Sequence, residues 1–310
     1  MPAALSLPSW NDGAARSALL RFVAGACDPA GPAFVPPERR IAVFAHDGTL
    51  WNEFPLPAHA LFIGARLEQL AAQRPSLRDR HPFSAFLRED LPRVHGLGWR
   101  GILQLGLVVH AGLDLEEFGA RAAAWLAAAR HPWLGRPVRA CTYLPQLELL
   151  ALLRGHGFTT FIVTAGESGF VRAVAPFAYG IPPHQVIGTC GRTKLEQVDG
   201  VAQLVKLAQE ERHIDREDKV RGIATHIGVR PVLAFGNSDR DLAMLHYVAG
   251  GTGPRLALLL RHDDRQREFA YDSAFALNPL DEGLERAREF GLVVVSMRED
   301  WRTVFAAGAG

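Results

Sequence analysis

Cysteine is scarce in this chain: three residues in 310 (Cys27, Cys141 and Cys190). They lie far apart, form no Cys-x-x-Cys pair and offer no even disulfide framework, which suits a reducing compartment. Excess charge of either sign is also missing. Lysine plus arginine is 34 and aspartate plus glutamate 33, a formal net charge of +1. No global basic field therefore draws nucleic acid or an anionic membrane. No run of eighteen apolar residues occurs, so no segment reads as a membrane span. The opening stretch, Met1 to Trp10, has no charged n-region; the first basic residue is Arg16, and Pro2 and Pro8 interrupt the apolar residues. The twelve histidines show no His-x-x-x-His or Cys/His metal spacing. A cytoplasmic globular protein without nucleic-acid or membrane partners is the expectation.

Apolar residues make up 48% of the chain and charged residues 22%, enough to bury a large core. The length corresponds to about two domains. Short apolar runs alternate with helical stretches. Ile41–Phe44, Phe161–Val163, Val186–Gly188, Val232–Phe235, Leu256–Leu260 and Leu292–Val295 read as strands. Uniformly apolar strands separated by helices predict an α/β fold, a Rossmann-like parallel sheet covered on both faces. Residues 55–140 differ. Leu61–Leu70, Phe83–Leu91, Ile102–Val109 and Phe118–Ala128 carry helical periodicity without a strand. The division expected is a core of residues 1–54 and 141–310 with an inserted all-helical domain of residues 55–140. A further helix is expected from Gly13 to Gly25.

Open α/β sheets bind ligands at the carboxyl ends of their strands. Strand one is followed by Ala45-His46-Asp47-Gly48-Thr49-Leu50-Trp51. Strand two is followed by Thr164-Ala165-Gly166. The Val232–Phe235 strand is followed by Gly236-Asn237-Ser238-Asp239-Arg240-Asp241, and Lys219 precedes it.

These four pieces, in this order, resemble the motifs of the haloacid dehalogenase (HAD) superfamily, in particular its phosphoserine-phosphatase-like members with a helical C1-type cap. The resemblance covers most of the chain outside residues 55–140, and those residues occupy the cap's place. It implies a magnesium-dependent phosphatase of a small phosphorylated metabolite, working through an aspartyl-phosphate. Asp47 would protonate the leaving oxygen and then activate water. Gly48, Thr49, Thr164, Ala165, Gly166 and Lys219 would bind the phosphate. Asp47, Asn237, Asp239 and Asp241 would supply the Mg2+ site, with Asn237 and Asp241 matching the two acidic places. Lys206 competes with Lys219 for the lysine role.

One departure is large. The family's nucleophile, the first aspartate of its first motif, is Ala45 here. A methyl group neither attacks phosphorus nor ligates a metal, so the chain as written is expected to be catalytically dead. An engineered, substrate-trapping form is the first expectation, because a single lesion leaves the acid/base, the lysine and the acidic loop together. The alternatives are a natural pseudophosphatase, a dehalogenase or a phosphotransferase of the same fold. Asp47 and the acidic loop argue against the dehalogenase. Arg66, Arg93, Arg100 and His110 are expected on solvated faces of the insertion, and Trp51 is a candidate wall of the pocket.

Overall fold

The computed structural model describes residues 6–307. Its centre is a seven-stranded sheet built from β1 (Ile41–Phe44), β2 (Thr159–Glu167), β3 (Val186–Val198), β4 (Val201–Arg212), β5 (Leu233–Gly236), β6 (Leu256–Arg261) and β7 (Val293–Ser296). The spatial order is β4-β3-β2-β1-β5-β6-β7. All neighbouring pairs are parallel except β3 and β4. β1 and β5 are buried at every position, as strands covered on both faces must be. The expected α/β sheet is therefore present.

Helices α1 (Ala14–Cys27), α7 (Leu144–Gly155), α8 (Ser168–Tyr179), α9 (Glu217–His226), α10 (Leu242–Ala249), α11 (Glu282–Arg286) and α12 (Met297–Asp300) accompany the sheet. Between β1 and β2 the chain makes α2 (Ala58–Gln73), α3 (Phe83–Leu87), α4 (Leu91–Gly96), α5 (Gly98–Val109) and α6 (Leu115–Ala128). The first four of these helices, α2 to α5, have their own apolar centre, which includes Ile63, Leu67, Phe86, Val94, Ile102 and Leu105 and is completed by Tyr271, Phe275 and Leu277 from the far end of the chain. Phe118, Ala122 and Leu126 of α6 join Phe170 and Val174 of α8 in the main core. The insertion is fused to the sheet layer along that seam. No helix among the described residues is long and apolar enough to cross a membrane.

The sheet differs from expectation at one edge. The third strand does not stop at Gly188; it runs on to Val198 and turns back as β4. The turn is Asp199-Gly200, both at positive φ (49° and 81°), with Val198 opposite Val201. A two-residue Asp-Gly turn of this kind matches the twist of a hairpin. The resulting arm packs on the insertion: the Lys206 N–H donates to the Leu113 carbonyl and the Gly112 N–H to the Lys206 carbonyl.

The chain order reverses at β1. β2 and β3 are added on one side, β5 to β7 on the other. Such a switch point leaves a crevice at the strand's carboxyl end, where Ala45 and Asp47 lie.

Candidate active site

A small cavity of about 20 Å³, room for about one water, sits in that crevice. Ala45 and Asp47 after β1, Thr164 and Ala165 in the last turns of β2, Lys219 on α9 and Asp241 before α10 line it. Trp99 of α5 covers it from the insertion, with the Arg240 guanidinium 5.7 Å from the Trp99 ring centre.

Each side chain has a local reason for its place. Gly48 has φ +73°, and a Cβ there would overlap the side chains of Asn237 and Glu53; only glycine turns the chain so tightly against them. The Gly166 N–H donates to Thr164 Oγ1 (2.9 Å), which leaves the hydroxyl proton of Thr164 free to serve an acceptor. Lys219 Nζ donates to Asp241 Oδ1 in a buried pair. The other Asp241 oxygen accepts from the N–H groups of Asn237 and Ser238 and from Ser238 Oγ (2.9, 3.1 and 3.1 Å). Tyr179 OH and His46 Nε2 share a hydrogen bond (3.0 Å), and His46 Nδ1 lies 3.4 Å from Asp47 Oδ1. Trp99 Nε1 is buried and has no hydrogen-bond partner among the described residues.

Lys219 and not Lys206 is the cavity's lysine. Lys206 lies on the hairpin arm, in a buried ion pair with Glu167. Trp51 is also elsewhere; it is buried against His46 and Tyr179.

Glu53 is a cavity residue that the motif pattern does not indicate. It is fully buried. Its Oε1 accepts from Asn237 Nδ2 and Tyr271 OH (both 2.9 Å), and its Oε2 from Asn278 Nδ2 (2.8 Å). Burial is the main cause that lifts its pKa from 4.5 to about 8; the nearby Asp47 adds to the rise, while His262 opposes it. Glu53 is thus neutral at neutral pH. Behind it, His262 Nε2 donates to the Gly48 carbonyl (2.8 Å), and Nδ1 faces Glu268 Oε2 (3.2 Å). Burial pulls the His262 pKa down, but the Glu268 carboxylate outweighs it and the net direction is up.

A raised carboxyl pKa in the folded state means that the native protein keeps a proton which the unfolded chain releases. Glu53's contribution to stability is therefore fully present below about pH 4.5 and is lost as pH rises through about 8. Thermal melts of the native chain should show a midpoint falling between those values, and Glu53→Gln should flatten that fall. An unchanged slope in the variant would remove Glu53 as its source.

The expected magnesium ligand set is not assembled. Asp239 turns away and accepts from the N–H groups of Asp281, Glu282 and Gly283 at the start of α11 (3.1, 3.3 and 2.8 Å). That carboxylate is a helix cap, a correction to its assignment as a metal ligand. Asn237 Oδ1 accepts from Thr49 Oγ1 (2.7 Å) and its Nδ2 serves Glu53, so neither Asn237 nor Thr49 is directed at the cavity. Both Asp241 oxygens are engaged, and Ala45 offers no donor. Among the described residues no group of three or more His, Cys, Asp or Glu is set to hold a metal ion. A magnesium ion requires a near-octahedral shell of oxygens, and the residues present do not fit it. Of the four expected ligands, Asp47 alone keeps a carboxylate beside the cavity without a stabilising cation bound to it.

A family model described as haloacid dehalogenase-like hydrolase matches residues 42–246. No curated protein matches the sequence. Among solved structures, a functionally unknown conserved protein from Anaerococcus prevotii DSM 20548 is 16% identical, with a TM-score of 0.56 and 91% of each chain covered. A protein from Bordetella pertussis Tohama I is 17% identical, with a TM-score of 0.52, covering 83% of this chain and 98% of that one. Both show a shared fold and nothing finer. A phosphoserine phosphohydrolase-like protein from Francisella tularensis subsp. tularensis SCHU S4 is more distant: 15% identity, TM-score 0.41, 72% of this chain and 88% of that one.

Proposed function

The chain belongs to the haloacid dehalogenase-like hydrolases, and on that premise we propose that it holds a small phosphomonoester at the Ala45 cavity, with Trp99 turned aside to make room for it, without cleaving it. The carrying observation is that Asp47, Thr164, Lys219 and Asp241 line one cavity with Ala45 where the nucleophile would stand. The reading is that of a phosphatase site interrupted at one step.

Several groups support ester binding without a metal. Lys219 and Arg240 bring two positive charges to the wall. Thr164 has a hydroxyl proton to give, and Trp99 a buried indole N–H with no partner among the described residues. These are the donors that a phosphate's oxygens require. Asp47 and Asp241 bring the opposing charge, and Glu53 adds none at neutral pH. Asp47 lies beside the place the ester oxygen would take, where the family's general acid stands. With a methyl group at position 45 nothing attacks phosphorus, and the ester leaves as it came.

A second reading, the engineered trap, is less well supported than a site built around alanine. Asn237 is committed to Thr49 and Glu53 and faces away from the cavity, so the acidic loop departs from the hydrolytic pattern as well.

Calorimetric titration of a panel of small phosphomonoesters, paired with phosphate-release assays, tests the proposal. Saturable binding of at least one ester, unchanged by chelator or added magnesium and without phosphate release, is expected. Failure of every ester to bind, or release of phosphate by the native chain, overturns it.

A further inference from the structure

In the insertion, His110 is not on a solvated face as expected. It is completely buried, its ring stacked on Phe62 with centres 4.9 Å apart. An open cavity of about 530 Å³ lies elsewhere in the insertion, between α2, the α3–α4 junction and the end of α6. That is the size of a site for a small organic molecule. Ala60, Leu61, Gly64 and Glu68 line it from one face of α2. Phe86 and Val94 line it from the α3–α4 side, Trp125 and Trp133 from α6 and the loop that follows. Trp133 is 55% exposed, so its ring has surface to offer. The cavity shares no lining residue with the Ala45 cavity.

Three charged side chains stand among these apolar ones: Glu68, Glu89 and Arg130. Glu68 is paired with Arg78 (2.6 Å), and the Arg130 guanidinium donates to the Gly135 carbonyl. Glu89 is exposed, and its carboxylate has neither an ion pair nor a hydrogen bond among the described residues. The arginines nearest it in sequence are paired elsewhere, Arg88 with Asp79 and Arg93 with Asp90. The backbone at Glu89 is unusual as well. Its N–H donates to the Phe86 carbonyl and the Asp90 N–H to the Ala85 carbonyl (both 3.0 Å), the pair of bonds that closes a helix in the Schellman manner. Glu89 takes the left-handed position of that motif, at φ +52°. Glycine fills such a position without strain and a residue with a Cβ does not.

An unmatched carboxylate beside an apolar, tryptophan-lined cavity is complementary to a cation that carries apolar bulk. From this juxtaposition we infer that the cavity binds a small apolar amine. Its ammonium stands against Glu89, and its body lies along Leu61, Gly64 and Phe86. Trp133 offers the ammonium a ring face, and tryptophan attracts a cation more strongly than the other aromatic rings. An apolar carboxylate, the ligand of opposite charge, would set like charges together at Glu89 and find Arg130 already engaged with the Gly135 carbonyl.

Calorimetry on the full chain with 4-phenylbutylamine as the probe tests this. Saturable one-to-one binding is expected, weakening as salt is raised. 4-Phenylbutanol, without the charge, should bind about fivefold more weakly, the upper end for an exposed ion pair. Butylamine, without the ring, should bind about tenfold more weakly or worse, the loss of one buried aromatic group. Glu89→Gly should weaken the probe about fivefold, while the denaturant midpoint holds or rises because glycine suits the left-handed backbone. A side chain with a merely structural role would not give that combination. Gly64→Leu should block the cavity from the opposite quarter. A Cβ there meets Phe86 at 3.7 Å and nothing closer, so the new side chain fills the cavity without forcing the fold, and it guards against a disturbed Glu89 variant. No saturable binding, an affinity that Glu89→Gly or Gly64→Leu leaves unmoved, or 4-phenylbutyrate binding as tightly as the amine overturns the proposal. So does displacement of the probe by a phosphomonoester, which would place it at the Ala45 cavity instead.

Discussion

Ala45→Asp is expected to raise phosphate release from the best-bound ester by about a thousandfold or more over the native chain, the order of effect seen when a nucleophile is present or absent. The new carboxylate would stand where β1 ends, in a cavity with Asp47, Thr164 and Lys219. One of its oxygens would attack phosphorus as the ester P–O bond breaks, and the leaving oxygen would take its proton from Asp47. Asp47, now charged, would take a proton from water as that water's oxygen attacks the acyl phosphate. Lys219 would balance charge throughout. The substitution also adds a carboxylate close to Glu53, which must stay protonated to tolerate it. Release is measured with and without magnesium, since the added carboxylate enlarges the oxygen donor set that the native site lacks. If the native chain binds an ester and Ala45→Asp releases none, the cavity is not a phosphatase site lacking one group, and the interrupted-hydrolase reading fails.

Lys219→Met is expected to lower unfolding free energy by about 3–5 kcal/mol, the cost of stranding one partner of a buried ion pair. Lys219 is 3% exposed and Asp241 1%, so water cannot take the lost ammonium's place. Asp241 would keep its three donors on Oδ2 but lose its one partner on Oδ1 among the described residues. Adding Asp241→Asn removes the stranded charge and should recover much of the loss, although the double variant should still fail to bind the ester. Denaturant midpoints and ester titration read the two effects apart. A Lys219→Met chain as stable as the native one would mean that the pair is solvated. A destabilised chain that binds the ester normally would remove Lys219 from phosphate recognition.

Much of the sheet was legible because its strands are buried on both faces and so are written as unbroken apolar runs: Ile41–Phe44 and Val232–Phe235 could be little else. The site's position followed from the residues after those runs. The hairpin arm was not seen, since residues 193–211 are rich in Lys, Glu, Gln and Leu, which serve equally well in helices. The signal that identifies it is Val198-Asp199-Gly200-Val201, an Asp-Gly pair between β-branched residues. Asp239 reads as a carboxylate that could make up for the amide of Asn237, but its partners are backbone N–H groups about forty residues onward, a relation that only the fold creates. Glu53 was invisible for the same reason: Asn237, Tyr271 and Asn278, which make its burial possible, are distant in sequence. His110 carried no local mark of burial at all.

The way the insertion is fastened decides how anything reaches the Ala45 cavity. α6 shares the main core with α8. His59 of α2 lies 3.2 Å from Glu167 at the end of β2, and that carboxylate also pairs with Lys206 of the hairpin arm. Burial opposes ionisation of Glu167, yet the hydrogen bond from His59 and the charge of Lys206 bring its pKa down to about 2, so the carboxylate at the fastening stays ionised throughout the physiological range. A hinge swing of the whole insertion would have to break it. Trp99, on the first turn of α5 just after Gly98 at φ +65°, carries no ion pair and packs on Leu103 and Ala165. Access would then need the rotation of one indole and no swing of the insertion, and side-chain rotation is faster than the microseconds to milliseconds of domain motion. Association should accordingly be a single kinetic phase whose rate grows in proportion to ligand concentration, without the plateau that a slow opening step imposes.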